Sequence, residues 1–425
     1  MEKLKKMTFA VLGFGGRGAT YTACAQALGS DVVAVCDPSE YSRNRAINEF
    51  GIPADKVFSD EDEFFAQGKL ADVLIIGTMD KDHYRGSMKA LDVGYDILLE
   101  KPISPDVNEC LEIAKKSKEV GREVFVCHVM RYTPYMRYAK NLLDSGKFGK
   151  ILHIEANEHV AYYHFAHSFC RGNWRNVETS APILLAKSCH DMDAICWLMD
   201  GKKCEVVSSM GDLVWFKEEN APEGSSKYCF ECKYKDSCQY SAFRLYHNEE
   251  YENIAALAKH GRLGKTPEEI DKSLSDKNNV LARCVYRCDN DVCDRQVVQM
   301  RFEDGTLASF NLTAFTEDMH RDYKVYCSRG SITICAGVVT SQIFGEEEIK
   351  RNVLKEETAD DVSLYKHHGG GDIGCVQSII KYFTEGVKTS QLTSIDVSVM
   401  SHQICHHAEI SRQKGGTQEK IIYKD

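Results

Sequence analysis

The chain has 425 residues, 43% apolar and 27% charged, the balance of an ordinary globular protein long enough for two or three domains. Only 8 prolines and 30 glycines exclude collagen-like repetition and extended disorder. Lys and Arg total 53 against 63 Asp and Glu, a net charge of −10 without basic runs, which argues against nucleic acid or an anionic membrane as partner. No apolar run approaches the roughly 18 residues of a bilayer-spanning helix. The start MEKLKKMTFAVLGFGG fits a signal peptide only in its charged residues. A soluble, cytoplasmic protein is expected, and most of the 18 cysteines then read as buried free thiols in a reducing compartment.

From Met7 to His128 short apolar runs alternate with helical periodicity. Strands are predicted at Thr8–Leu12, Asp31–Cys36, Val73–Ile76, Asp96–Leu99 and Val124–Cys127. Amphipathic stretches lie between them, near Arg17–Leu28, Arg43–Phe50, Tyr84–Val93 and Asp106–Val120. Continuous Val, Ile and Leu runs suit a parallel sheet covered on both faces, so an α/β, doubly wound domain over residues 1–130 is predicted.

Between the first strand and first helix stands Gly13-Phe14-Gly15-Gly16-Arg17-Gly18. Gly13 permits a tight turn, Gly15 lets backbone approach a pyrophosphate, and Gly18 allows close helix–strand packing. The helix N-terminus then offers N–H groups to phosphate. Asp37 ends the second strand, placed to accept hydrogen bonds from an adenosine ribose. Its charge favours NAD over NADP, although Arg43 lies close behind, where an arginine can accept a 2′-phosphate. Thr78 and His83, after the third strand, are counted with the cofactor residues.

The fourth strand ends in Glu100-Lys101-Pro102. Ligands of open α/β sheets bind outside the carboxyl ends of the strands, and Pro102 biases Lys101 toward an extended conformation. Together with the glycine loop, Asp37, His83 and the later Arg131-Tyr132-Thr133-Pro134, this motif resembles the Gfo/Idh/MocA family, which includes glucose–fructose oxidoreductase and inositol dehydrogenases. The resemblance covers the nucleotide-binding half and continues in patches to about residue 386. It implies a two-domain homo-oligomer, dimer or tetramer. It also implies a second domain over residues 131–425 that carries a large, mostly antiparallel open sheet. In that family the lysine matching Lys101 contacts both substrate and nicotinamide.

The second half turns to longer strand-like runs, Ile151–Ala156, Cys204–Trp215, Asp294–Phe302 and Thr306–Ala314, as an α+β domain requires. Ala181–Met199 reads as one helix carrying Lys187, His190, Asp191 and Asp193. Lys187 and Asp191 then share a face by i,i+4 spacing. Many relatives place an aspartate four residues before the histidine, where this chain has Ala186. A lysine-containing variant resembles a subgroup acting on glycosides. His190 is read as the base that removes a hydroxyl proton, with Lys101 as a proton carrier or alkoxide stabiliser and Lys187 lowering the proton affinity of His190. Tyr132, Arg171, Trp174, Arg175, Asp191, His368 and Asp372 are taken as substrate residues. An indole and guanidiniums suit a sugar, and the family brings a histidine- and glycine-rich segment such as His367–Asp372 to the substrate.

Cys229, Cys232 and Cys238, spaced x2 and x5, have chelate geometry for a structural zinc without an evident fourth ligand, within a polar insertion at about residues 220–279. Cys284, Cys288 and Cys293 follow. The chemistry expected is NAD-dependent oxidation of a secondary hydroxyl of a sugar, glycoside or cyclitol. The alternatives are glycoside cleavage through transient oxidation by tightly held NAD, and a non-catalytic nucleotide sensor.

Overall fold

A computed structural model describes residues 6–251, 254, 263–357 and 368–423. Among them are two sheets. The first has six parallel strands in the order β3-β2-β1-β4-β5-β6. They are β1 (Thr8–Leu12), β2 (Asp31–Cys36), β3 (Val57–Phe58), β4 (Val73–Ile76), β5 (Asp96–Leu99) and β6 (Val124–Val126). All four residues of β4 are buried, as expected where helices cover both faces. The order reverses between β1 and β4, and the crevice at that switch point lies above the glycine loop.

The second sheet has nine strands, β14-β13-β12-β11-β7-β10-β9-β8-β15. They are β7 (Ile151–His159), β8 (Cys204–Asp212), β9 (Arg295–Phe302), β10 (Leu307–Thr313), β11 (His320–Cys327), β12 (Gly330–Cys335), β13 (Val338–Ile343), β14 (Ile349–Asn352) and β15 (Glu419–Lys420). Every pairing is antiparallel except β7 with β10. Strict alternation on β9 turns Gln296, Val298, Met300 and Phe302 inward, onto a core shared with helix Cys189–Leu198. Arg295, Val297, Gln299 and Arg301 face out.

Three features depart from the sequence reading. The segment Ala181–Met199 is two helices, Ile183–Ala186 and Cys189–Leu198, broken at Lys187-Ser188. Helix Gly371–Glu385, far along the chain, packs Ile373, Cys375, Val376, Ile379 and Ile380 into the core of the parallel sheet, so the first unit draws on residues from both ends. The excursion that the chain makes between neighbouring strands β8 and β9, residues 213–294, is wider than the polar stretch 220–279 and has no strand among its described residues. It has a small apolar core of its own, with Ala242, Phe243, Tyr246, Ile270, Leu274 and Leu281.

Candidate active site

The glycine loop shows three different uses of glycine. Gly13 sits at φ +87°, and a Cβ there would lie 2.6 Å from the backbone of Gly77 and Thr78. A Cβ on Gly18 would lie 2.2 Å from the Gly13 carbonyl oxygen. On Gly15 it would meet nothing within 4 Å, so that face of the loop is open at the N-terminus of helix Gly16–Ala27. The helix has no capping side chain and no acid in its first turn, which leaves N–H groups for an anion.

Phe14 is buried, its ring edge-on to Phe50 at 5.2 Å, and its N–H donates to Asp37 Oδ2 at 2.6 Å. Asp37 Oδ1 accepts from Ser39 N–H at 2.8 Å. Arg43 Nη1 donates to the carbonyls of Asp37 and Pro38 at 2.9 and 2.7 Å. The carboxylate is thus fixed at the tip of β2, and the guanidinium is tied to backbone. The Thr78 hydroxyl is buried beside the loop without a partner among the described residues. An open glycine face, a free helix terminus, an anchored carboxylate and an orphan hydroxyl fit a dinucleotide.

Arg17 points away from that face. Its Nε donates to Glu100 Oε1 at 2.6 Å and Nη2 to Asp372 Oδ1 at 2.5 Å, with Tyr21 a further partner. The side chain therefore ties the end of β5 to helix Gly371–Glu385, and only the Arg17 backbone and Gly16 remain for phosphate. Glu100 also accepts from the Tyr21 hydroxyl at 2.8 Å and from Lys101 N–H at 2.8 Å. Against burial, which pushes it up, Arg17 and Lys101 hold the Glu100 carboxyl below its ordinary range. Asp372 is held down in the same way, by Arg17 and then by His368, whose Nδ1 lies 3.0 Å away. His83 Nδ1 donates to the Pro102 carbonyl at 2.6 Å, so it positions the Glu100–Pro102 corner.

Lys101 leaves that corner toward the second unit, and its Nζ donates to the Ala186 carbonyl at 2.7 Å. The break at Lys187-Ser188 exposes this carbonyl; in an unbroken helix it would accept from residue 190. His190 opens the next helix and is 4% exposed, with rings of His128 at 5.7 Å and His368 at 6.2 Å. Its Nδ1 has no partner among the described residues. Burial first, then the charges of Lys101 and Arg321, push its pKa well below the ordinary histidine value. The imidazole is therefore held toward its neutral form. The lowering attributed to Lys187 comes from Lys101 and Arg321, because Lys187 turns to Glu158 of β7, 3.4 Å away.

That glutamate is fully buried and also meets Arg321 at 2.7 Å. Arg321 Nε donates to Asp191 Oδ1 at 2.9 Å, and the Tyr323 hydroxyl donates to the same oxygen at 2.6 Å. A Lys187–Glu158–Arg321–Asp191 chain of alternating charge thus forms one wall beside His190. Glu158, Arg321, Tyr323 and His128 escaped the sequence reading. Their signal was present: Ile154, Ala156 and Glu158 share the inward face of β7, so a carboxylate occupies a core position.

The remaining residues separate. Arg131 forms a buried two-point pair with Asp193 at 2.5 and 2.6 Å. The Tyr132 hydroxyl lies 2.9 Å from Thr393 Oγ1 inside the core. Trp174 Nε1 reaches Asp80 Oδ1 at 3.5 Å, on the loop after β4. Arg175 pairs with Asp289 at 3.0 Å. Arg171 is 1% exposed and bonds carbonyls of Arg283 and Tyr240 at 2.7 Å each, so it faces the insertion. Tyr132, Arg171 and Arg175 are therefore spent on packing and ion pairs away from Lys101 and His190. His367 lies outside the described residues.

Two family descriptions match in tandem. "Oxidoreductase family, NAD-binding Rossmann fold" covers residues 7–128 and "Oxidoreductase family, C-terminal alpha/beta domain" covers 140–389. The chain belongs to the Gfo/Idh/MocA oxidoreductase family. It is 25% identical over 317 residues to the putative oxidoreductase YteT of Bacillus subtilis, covering 71% of this chain and 70% of that protein. It is 26% identical over 211 residues to the 2,7-anhydro-N-acetylneuraminate hydratase of Mediterraneibacter gnavus, covering 49% of this chain and 54% of that one. Its fold superposes on levoglucosan dehydrogenase, solved with NADH and levoglucosan, with a TM-score of 0.72 at 15% identity over 99% of this chain and 100% of that chain. As a Gfo/Idh/MocA oxidoreductase, the chain carries its NAD-binding unit on the parallel sheet. Among the described residues no helix is long and apolar enough to cross a membrane.

Proposed function

We propose that this protein oxidises a secondary hydroxyl of a sugar, glycoside or cyclitol to a ketone with NAD. The observation that supports this reading is the approach of Lys101, from the nucleotide-binding unit, to the Ala186 carbonyl one turn before His190. An ammonium and an imidazole held toward its neutral form are thereby brought close at the carboxyl end of β5. Bound NAD supplies the hydride acceptor. The His190 imidazole, uncharged at rest, accepts the hydroxyl proton, and the Lys101 ammonium orients the hydroxyl and stabilises developing negative charge on its oxygen. Asp37 holds the ribose end and disfavours a 2′-phosphate. His368 and Asp372, at the start of helix Gly371–Glu385, and Asp191 and Trp174 border the substrate side.

The hydratase relative favours a second reading, in which the sugar is oxidised only transiently, a bond is cleaved by elimination, and the hydride returns. Mixing the protein with NAD and a panel of free sugars, glycosides and inositols distinguishes the two: net NADH supports the first, and cleavage products without NADH support the second. The outward face of the large sheet, where Met210 and Val297 pair across β8 and β9 and Leu307 is exposed farther along on β10, is proposed to join subunits of a homo-oligomer. None of the 18 cysteines is in a disulfide, which suits a reducing cytoplasm.

A further inference from the structure

The excursion between β8 and β9 carries only a small apolar core of its own, and small cores are where chains commonly add a staple. Its cysteines divide. Cys229, Cys232, Cys238 and Cys284 line one small cavity with about 20 Å³ of free space. Cys288 turns its sulfur to the Cys284 carbonyl, 3.2 Å away, and Cys293 is buried in the main core.

Local structure brings the four together. Cys229–Glu231 is a single tight turn, closed by Cys232 N–H on the Cys229 carbonyl at 3.2 Å. A second turn places Cys238, whose N–H donates to the Tyr234 carbonyl at 2.8 Å. An isolated antiparallel bridge pairs Tyr228 with Arg283, and Cys284 N–H donates to the Lys227 carbonyl at 2.9 Å. Alternation about that bridge turns Cys229 and Cys284 to the same side. The fourth position that spacing alone left open is therefore supplied from across the excursion.

A second observation concerns charge. Arg171 borders the same cavity, with Nη2 3.7 Å from Cys229 Sγ. Its hydrogen bonds go to two carbonyls and that sulfur, and buried Nη1 has no partner among the described residues. Among the described residues no carboxylate pairs with it there. A buried cation calls for a counter-charge, and a divalent ion held by four thiolates carries a net charge of −2. Neutral thiols would leave the guanidinium uncompensated.

We propose that Cys229, Cys232, Cys238 and Cys284 bind one zinc ion that staples the excursion, with Arg171 as its charge partner. Each thiol releases its proton to solvent as its sulfur bonds the metal. No three of the sulfurs lie within 4.8 Å of one another, so side-chain rotation draws them onto an ion at about 2.3 Å. The free space suits a single ion rather than a cluster. The site lies apart from Lys101 and His190, and its role is structural.

Elemental analysis of the full-length protein, purified without added metal and washed with chelator, tests this. The expected result is about one zinc per chain, lost in Cys284→Ser and retained in Cys288→Ser. If Cys284→Ser does not fold, titrating native wild-type protein with a mercurial reagent replaces it: about four thiols modified per zinc released supports the site. Cobalt-substituted protein should show thiolate-to-metal charge-transfer absorption. Metal-free protein overturns the proposal. So does iron with acid-labile sulfide, or zinc that survives Cys284→Ser and is lost in Cys288→Ser.

Discussion

The Lys101 ammonium donates to the Ala186 carbonyl at 2.7 Å, across the seam between the nucleotide-binding sheet and the helices of the second unit. The carbonyl is free because the chain breaks at Lys187-Ser188 instead of continuing as one helix. One contact thus fixes the direction of the ammonium and the starting point of the turn that presents His190.

The charge of Lys101 bears on the proton affinity of His190. Removing it in Lys101→Met leaves imidazolium with one fewer like charge, so the pKa of His190 should rise toward the ordinary histidine value. NMR titration of the labelled histidine checks this. A downward shift, or none, contradicts the electrostatic assignment.

Buried neutral histidines also set an acid limit on stability. His128 and His190 are held well below the ordinary value, and burial pushes His402 down to about 3. Above about pH 6.5 they are neutral folded or unfolded and contribute no pH dependence. Below it the unfolded chain binds protons that the folded chain refuses, so stability falls with pH, by up to about 1.4 kcal/mol per unit for each histidine. Denaturant unfolding at pH 7 and pH 5 should show lower stability at pH 5. Equal or higher stability there removes the buried-histidine account.

Gly13 and Gly15 should respond differently to alanine. Gly13→Ala meets backbone at 2.6 Å from a positive φ and should destabilise the fold by at least about 1–2 kcal/mol. Gly15→Ala meets nothing, and its stability should change by less than about 1 kcal/mol. NAD binding should nonetheless weaken about tenfold or more, or about 1.4 kcal/mol, because the new methyl stands where the pyrophosphate approaches. Thermal melts and NAD titration separate the two effects; undiminished NAD affinity in Gly15→Ala places the cofactor elsewhere.

Asp37→Ala should weaken NAD and reduce discrimination against NADP, since the 2′-phosphate loses its like-charge neighbour. Wild-type protein that binds NADP tenfold better than NAD contradicts this and points to Arg43.

The nucleotide-binding half was legible because its signals are local. The predicted strands at Thr8, Asp31, Val73 and Asp96 match β1, β2, β4 and β5 residue for residue, and the glycine order follows from the turn itself. The two-residue β3 was too short to give a period. The second half depends on long-range pairing, which a one-dimensional pattern does not carry. Nothing near Arg171 signals that Arg283 and Tyr240 take its guanidinium, and the Glu158–Arg321 pair forms only when β7 and β11 align. The helix break was hidden for a related reason: Leu184-Leu185-Ala186-Lys187 favours helix locally, and the Lys101 contact at the freed Ala186 carbonyl comes from 85 residues earlier in the chain.

The most direct test of the account is turnover of Lys101→Ala and His190→Ala on the substrate identified in the NADH screen, with NAD affinity measured alongside. Each should lose at least about a hundredfold in turnover, the lower end of general acid–base effects, while NAD affinity stays near wild type because the contacts proposed for its phosphate and ribose, at Gly15 and Asp37, are left intact. Near-wild-type turnover in His190→Ala, with fold and NAD binding intact, would contradict the assignment of His190 as the base.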